Sequence, residues 1–577
     1  MKVKRMLFII ILTVSLSLVA SSALAQTDDE ELEPVAEEWR VGFESITAAD
    51  AVNYVSFLAS DELEGRDTAS HGLRIARNYA ASLFTLWGIA PAGDIVDGER
   101  TFGQTFPVVI SEPGSHSQLE VRNGATTWRF QYPIDISLGR EALIAGTIEA
   151  PIIFAGYGIS APDLNYDDFA GIDVRGKIVV VLVGLPGGDR EGTPFVQPEN
   201  RHRFSPWRRY RELGMKLAEM GAVALISISP FGDESESSLF QPSLTVRYRR
   251  DSEISAPSRR VSVPALSSIS ASVPTLHASQ RVADVMLAAQ ETTLAELKNS
   301  IDETLQPRSF DLDGSSARIQ IDIRQTGDVT GNVLGMIEGS DPELRDEVIV
   351  VCAHLDHLGI TDEGYVFNGA DDNASGSAGV LELAQAFTLN PLRPKRTILF
   401  ALWTGEEKGL YGSRYFVQYP TVPLENIVAC LNMDMIARDW SIEAIEQMAR
   451  RFGVATAGTE ITPELASRLI SVQLSAQSPE LNRIILEENR EHIGLFVRTR
   501  SGDSPGGSDH VPFHRSDVPA AFFFSAMHDD YHMPSDTVNR INGEKMELII
   551  RLVYLVAGEI AQMPERLPWV ESEDESD

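Results

Sequence analysis

The stretch Glu347-Val348-Ile349-Val350-Val351-Cys352-Ala353, followed directly by His354, decides the fold. From Val348 onward it is apolar without the alternation of a strand that is wetted on one side, so Glu347 to Ala353 reads as a strand buried on both faces. The residues around it repeat the theme. Ser375 to Thr388 has helical periodicity, Arg396 to Trp403 is a second apolar strand, Leu410 to Gln418 a helix, and Ile427 to Met433 a third strand. Apolar strands alternating with helices predict an α/β fold, a mixed, mostly parallel sheet flanked by helices.

Upstream the pattern changes. Ala49 to Leu86 carries apolar residues at helical spacing (Val52, Val55, Leu58, then Ile75, Tyr79, Leu83) and is split by a turn at Gly65. From Gly146 to about Ser270 come short β-branched runs, Pro151 to Ala155, Lys177 to Val183 and Ala222 to Ser229, with a helix near Tyr210 to Met220 and a polar loop at Ser235 to Glu253. This predicts a smaller β-rich domain, with Ala278 to Leu297 as a helix leading out of it. A chain of 577 residues exceeds one ordinary core, which agrees with two folded units.

Lys2, Lys4 and Arg5, the apolar run Met6 to Ala20, and Ala23-Leu24-Ala25 together predict a signal peptide cut after Ala25, before Gln26. The expectation is a secreted or periplasmic protein without stable membrane insertion, because the run is shorter than the ~20 apolar residues a spanning helix needs. A net charge of -34 argues against nucleic acid as a partner, since phosphate binding is dominated by basic contacts. The acidic ends, Asp28 to Glu33 and Glu571 to Asp577, read as solvated tails. Cys352 and Cys430 both fall inside apolar strands and are expected as buried thiols, with pairing as the alternative in an oxidising compartment.

In an open α/β sheet, ligands bind outside the carboxyl ends of the strands. Five such places hold candidate metal ligands. His354 follows the first strand, with Asp356 two residues on; a lone histidine there is more often a satisfied rim residue. Asn368-Gly369-Ala370-Asp371-Asp372-Asn373-Ala374-Ser375-Gly376 opens a helix and in isolation reads as a cap, yet two adjacent carboxylates repel and a divalent cation would offset that cost. Glu406-Glu407 follows the second strand, where one acid can bind metal while its neighbour handles protons; the plain alternative is a solvated charge pair. Asp434 ends the third strand, where burying a carboxylate is expensive unless it is paired or coordinated. His532 lies downstream of the strand Val518 to Ser525, where a surface turn would be the ordinary reading. Together, two histidines and three carboxylates form the mixed nitrogen and oxygen donor set that suits zinc and related ions. No phosphate-binding glycine loop follows a strand.

The ordered motifs H-x-D at His354, G-A-D-D-N-A-S-G at Gly369, G-E-E-x-G-L-x-G-S at Gly405, N-x-D-M at Asn432 and Y-H-x-x-x-D at Tyr531 resemble the di-zinc exopeptidases. That family includes bacterial leucyl aminopeptidases and, more distantly, glutamate carboxypeptidase. The resemblance extends over Asp61 to Gly93, with Glu64-Gly65-Arg66, and over Ser508 to Asn542; Gly146 to Ser270 resembles the protease-associated domain inserted in such enzymes, and Trp440 to Glu488 matches least. It implies the zinc exopeptidase fold and two Zn2+ per chain, with Asp372 bridging both ions, His354 and Asp434 completing one, and Glu407 and His532 the other. It further implies Glu406 as general base, Asp356 as the carboxylate orienting His354, Tyr531 as a group polarising the scissile carbonyl, and peptide as substrate. The division it implies is a signal peptide at 1-25, catalytic segments at 40-140 and 301-567, a protease-associated domain at 141-300 and an acidic tail at 568-577. Phe513 to Pro519 departs from the glycine-containing stretch of relatives and, with Ser508-Asp509-His510, is expected to shape the substrate pocket.

Amino-terminal cleavage is the expected activity. A carboxypeptidase of the same fold, a one-zinc transferase resembling glutaminyl cyclase, and a binding protein that has lost catalysis are the alternatives. The full ligand set and the inserted domain disfavour the last two.

Overall fold

The computed structural model describes residues 32–570 except 140–144, 189, 191, 198–199, 201–202, 205, 230–258, 267–271, 291, 362, 447–460 and 503–506. The expected signal peptide with its cut after Ala25, the tail from Glu571 and the loop Ser235 to Glu253 lie outside the described residues. Among the described residues no helix is long and apolar enough to cross a membrane. The chain divides into two compact units, one formed by the residues up to Val108 and from Val329 onward, the other by Val109–Asp328.

The sheet of the first unit is built on β1 (Ile323–Ile337), β2 (Val348–His354), β3 (Thr397–Trp403), β4 (Ile427–Met433), β5 (Leu469–Ser475), β6 (Phe496–Gly502) and β7 (Ala520–Phe524), in the order β1-β3-β2-β4-β7-β5-β6. The central strands β3, β2, β4 and β7 run parallel. β1 pairs antiparallel with β3, β5 antiparallel with β7, and β6 parallel with β5. The fold is thus the mixed, mostly parallel α/β sheet that the apolar runs predict.

Both faces of β2 are buried. Val348, Val350 and Cys352 enter one apolar cluster with Leu399, Ala401 and Trp403. Ile349, Val351 and Ala353 enter another with Ile398, Phe400 and Leu402 and with residues of α3 (Gly376–Leu389) and α4 (Gly543–Gln562). Each fully buried aliphatic side chain contributes roughly 1.5–3 kcal/mol, which outweighs the weak intrinsic preference of a short segment. β2 begins one residue later than the predicted strand, at the start of the apolar run, and Glu347 reaches the buried Arg396, Oε2 to Nε 2.6 Å. The predicted helices near the amino end are α1 (Ala48–Leu58), capped by Thr47, and α2 (His71–Leu86), capped by Ser70, with the turn Asp61–Arg66 between them. Cys352 and Cys430 are free and buried, their Sγ atoms 3.7 Å apart.

The second unit centres on four parallel strands, Gly146–Ala155, Ile178–Leu182, Ala224–Ile228 and Thr275–Ala278. Its limits are wider than 141-300, because Gln118–Asn123 and Ser309–Ile321 pair with each other and the latter also pairs with Gly146–Ala155. The single helix expected over Ala278 to Leu297 is two, Gln280–Leu287 and Leu294–Thr304. The Thr293 hydroxyl accepts the Glu296 N–H while the Glu296 carboxylate accepts the Thr293 N–H, a capping box that starts a new helix where the apolar periodicity reads as continuous.

Candidate metal centre

The strand ends bring the five predicted ligands into one cluster. His354 ends β2, Glu407 follows β3, Asp434 follows β4, Asp372 lies in the loop before α3, and His532 lies beyond β7. Asp372 is at the middle. Its Oδ1 is 3.3 Å from His354 Nε2, which is 3.4 Å from Asp434 Oδ1. Its Oδ2 is 3.0 Å from His532 Nε2, which is 3.2 Å from Glu407 Oε2. One carboxylate therefore faces two separate donor groups. Ligand atoms of His354, Asp372 and Glu407 also lie within 4.8 Å of one another.

Each loop is fixed by hydrogen bonds to another. Asn373 donates to the Met433 carbonyl at 3.0 Å and accepts the N–H groups of Gly376 and Met435 at 2.9 and 3.2 Å, joining the Asp372 loop to the Asp434 loop. The approach requires glycine at 376, where a Cβ would lie 2.3 Å from the Met433 carbonyl oxygen. Asp536 Oδ2 accepts the N–H groups of Asp371 and Asp372 at 3.0 and 3.1 Å, tying the His532 segment to the same loop. The buried Arg66 guanidinium donates to the carbonyls of Leu355, Asn368 and Gly369 at 2.9, 2.8 and 3.0 Å, and also to that of Leu58.

Several expectations need correction. The Asp356 carboxylate does not hold the His354 ring: Nδ1 lies 3.1 Å from the main-chain oxygen of Asp356 and 3.9 Å from its Oδ1. The carboxylate is engaged elsewhere, accepting the Thr68 hydroxyl at 2.8 Å and the Glu406 N–H at 3.1 Å, so it joins the β2 and β3 loops. Ser508, Asp509 and His510, expected to shape a substrate pocket, are buried. Ser508 Oγ donates to Asp434 Oδ2 at 2.6 Å, Asp509 accepts from Ser413, and His510 stacks on Phe522. Tyr531 stacks on the His532 ring with centroids 3.8 Å apart. Asp371, beside Asp372, is taken up by the Ala437 N–H at 2.7 Å and by His528 at 3.1 Å. Sequence reading missed His357, whose Nδ1 lies 2.8 Å from Glu407 Oε1; its place three residues after His354 was the available signal. It also missed the contacts of Thr68, Arg66 and Asp536, although Arg66 and Asp536 stand in the quoted motifs, because a motif does not say which backbone groups a side chain will reach.

The donor set fits divalent metal. Zinc bonds of 2.0–2.2 Å in tetrahedral array separate neighbouring donors by about 3.3–3.6 Å, and the four separations around Asp372, 3.0 to 3.4 Å, lie at or just under that range. The electrostatics point the same way. Burial lowers His354, but Asp434 and Asp372 outweigh it and raise the imidazole well above its usual range. Burial opposes His532 too, yet Glu407 and Asp372 carry it to about 10. Burial pushes the Asp372 carboxyl up, but the two imidazoles hold it well below the ordinary range. The cluster thus binds positive charge strongly, and a proton and a metal compete for the same imidazole lone pairs. Glu406 differs: burial pushes it well above the usual carboxyl range, with His354 opposing and Glu407 adding to the shift.

Fold and donor set together define an α/β protein with a carboxylate–imidazole cluster fit for divalent ions. Residues 332–557 match the sequence profile of Peptidase family M28. Over 243 residues it is 26% identical to aminopeptidase YwaD of Bacillus subtilis, covering 40% of this chain and 45% of that protein. Over 232 residues it is 26% identical to a probable leucine aminopeptidase of Arthroderma otae, covering 38% of this chain and 56% of that protein. The match thus spans about half the length of these relatives. The structure of an aminopeptidase from Aneurinibacillus sp. strain AM-1 superposes with a TM-score of 0.55 at 16% identity, over 92% of this chain and 98% of that one, and shares the fold.

Proposed function

We propose that the chain is a zinc-dependent exopeptidase, an aminopeptidase that removes amino-terminal residues from peptides. In this reading His354 and Asp434 hold one zinc, Glu407 and His532 a second, and Asp372 bridges the two. The observation that carries it is the divided Asp372 carboxylate, one oxygen toward His354 and the other toward His532. Two bound divalent ions supply Lewis acidity there, polarising a carbonyl and lowering the pKa of water toward about 7. Glu406 is the general base: it takes a proton from the attacking water onto its carboxylate and delivers it to the departing amine as the peptide C–N bond breaks. Its burial beside Glu407 suits that task by favouring the protonated form once the proton has arrived. Asp356 acts on Glu406 through the main chain by accepting its N–H, and Tyr531 is assigned the donor that polarises the scissile carbonyl.

The same reading takes Val109–Asp328 as a protease-associated domain and the mature protein as exported after cleavage behind Ala25. Amino-terminal cleavage is favoured over carboxyl-terminal cleavage because the matched relatives carry aminopeptidase names. The deciding measurement is hydrolysis of a peptide panel with free, amino-blocked and carboxyl-blocked ends, with and without chelator. Stepwise release from free amino ends, abolished by chelator and restored by zinc, is expected. Undiminished cleavage of amino-blocked peptides would refute the aminopeptidase assignment, and chelator-insensitive cleavage would refute the zinc.

A further inference from the structure

A third histidine stands in the cluster, and neither the bridging carboxylate nor the five-ligand set accounts for it. His357 is buried, with Nδ1 2.8 Å from Glu407 Oε1 and 3.9 Å from Asp372 Oδ2. The oxygen it meets is not the one that faces His532, which is Glu407 Oε2 at 3.2 Å. The two oxygens of Glu407 are thus divided between two imidazoles. His357 Nε2 is buried without a hydrogen-bond partner, so the single proton of a neutral ring belongs on Nδ1, where a carboxylate accepts it. The ring has little freedom to turn. The His357 N–H donates to the Arg66 carbonyl at 3.1 Å, and the ring lies against Gly369, where a Cβ would come within 2.5 Å of Cδ2.

We propose that His357 is a positioning residue for Glu407: by donating its Nδ1–H to Oε1, it holds the carboxylate to one metal-facing oxygen, Oε2, beside His532. The proposal rests on reading the cluster as a two-metal centre. It inverts the usual arrangement, in which a carboxylate orients a ligating histidine, and relies on the same physics. A ligand whose second hydrogen-bonding atom is anchored loses less freedom when it binds, and removing such an anchor typically costs ~10–100-fold in metal affinity. The consequence is asymmetric, because Glu407 serves the His532 group and not the His354–Asp434 pair.

The test uses the full-length protein, stripped of metal and reloaded with zinc, with ions counted and their dissociation constants read by competition with a chromophoric chelator. His357→Phe keeps a flat ring against Gly369 and removes the donor; His357→Leu is a second donor-free variant if the first fails to fold. His357→Asn keeps an N–H donor at the δ position. The donor-free variants are expected to loosen one of two zinc ions by ~10–100-fold, leaving the other within a few-fold, while His357→Asn recovers most of the loss. Donor-free variants that hold both ions as tightly as the parent overturn the proposal. So does a cobalt-loaded His357→Asn protein whose affinity and visible spectrum match a donor-free variant, since His357 would then itself be a ligand. A parent protein that binds fewer than two ions overturns the two-metal reading first, without reference to any variant.

Discussion

Asp536 accepts the main-chain N–H of Asp372 at 3.1 Å across 164 positions of sequence. The bond is buried and its acceptor is shared with the N–H of Asp371 at 3.0 Å. Removing that acceptor leaves two buried donors unsatisfied, at about 1–3 kcal/mol each. Asp536→Ala is expected to lower the unfolding free energy by a few kcal/mol and zinc affinity by roughly 10–100-fold. Asp536→Asn, which keeps one acceptor oxygen, should fall between. Urea unfolding of the metal-free protein and dialysis against buffered zinc measure the two effects separately; an unchanged zinc affinity in Asp536→Ala would show that the tie does not position Asp372.

Glu406 and Glu407 are neighbours in sequence with opposite electrostatics. Burial pushes Glu406 up, whereas His532 and His357 hold Glu407 well below the carboxyl range despite its burial. Glu406→Gln should keep the parent's metal content and lose ~10²–10⁴-fold in kcat. Glu407→Gln should lose metal as well. Metal content by atomic emission alongside turnover separates the two, and near-normal turnover of Glu406→Gln would remove the general base from the proposal.

Arg66 supplies the main-chain carbonyls of Leu58, Leu355, Asn368 and Gly369 with their hydrogen bonds from one buried guanidinium. Arg66→Met leaves these oxygens without that donor, and a loss of at least ~3 kcal/mol in stability is expected. Arg66→Lys keeps the charge but not the planar fork and should recover only part of it. Chemical denaturation of the metal-free proteins checks the order parent, lysine, methionine.

Glu382, on α3, is 2% exposed and its Oε1 has no hydrogen-bond partner. Burial, then Asp50 and Glu547, push its carboxyl from 4.5 to about 8. The native state therefore keeps a proton that the unfolded chain releases near pH 4.5, so this group's contribution falls as pH rises from about 4.5 to about 8 and is level above that. Glu382→Gln should gain in melting temperature over the parent progressively across that window. A difference that does not vary between pH 5 and 8 would contradict the shift.

The sheet was legible because burial on both faces writes itself into consecutive residues, as in Val348 to Ala353 and Thr397 to Trp403. The cluster was legible because ligands must stand at strand ends, where His354, Glu407 and Asp434 follow those runs directly. Legibility stopped where the apolar pattern is silent. The second unit's wider limits depend on pairing of Ser309–Ile321 with Gly146–Ala155, and the break between its two helices depends on a cap that periodicity does not register.

What the amino-acid order determined by itself was the α/β sheet and the donor types at its strand ends, since both follow from local spacing and the cost of burying charge. Only the tertiary structure decided what holds those donors: that the Asp356 carboxylate meets Thr68 and the Glu406 N–H in place of His354, that Ser508 holds Asp434, and that His357 faces Glu407. The physical reason is reach. Arg66 and Leu355 are 289 positions apart, and a hydrogen bond depends on ångströms in space, which no spacing along the chain encodes.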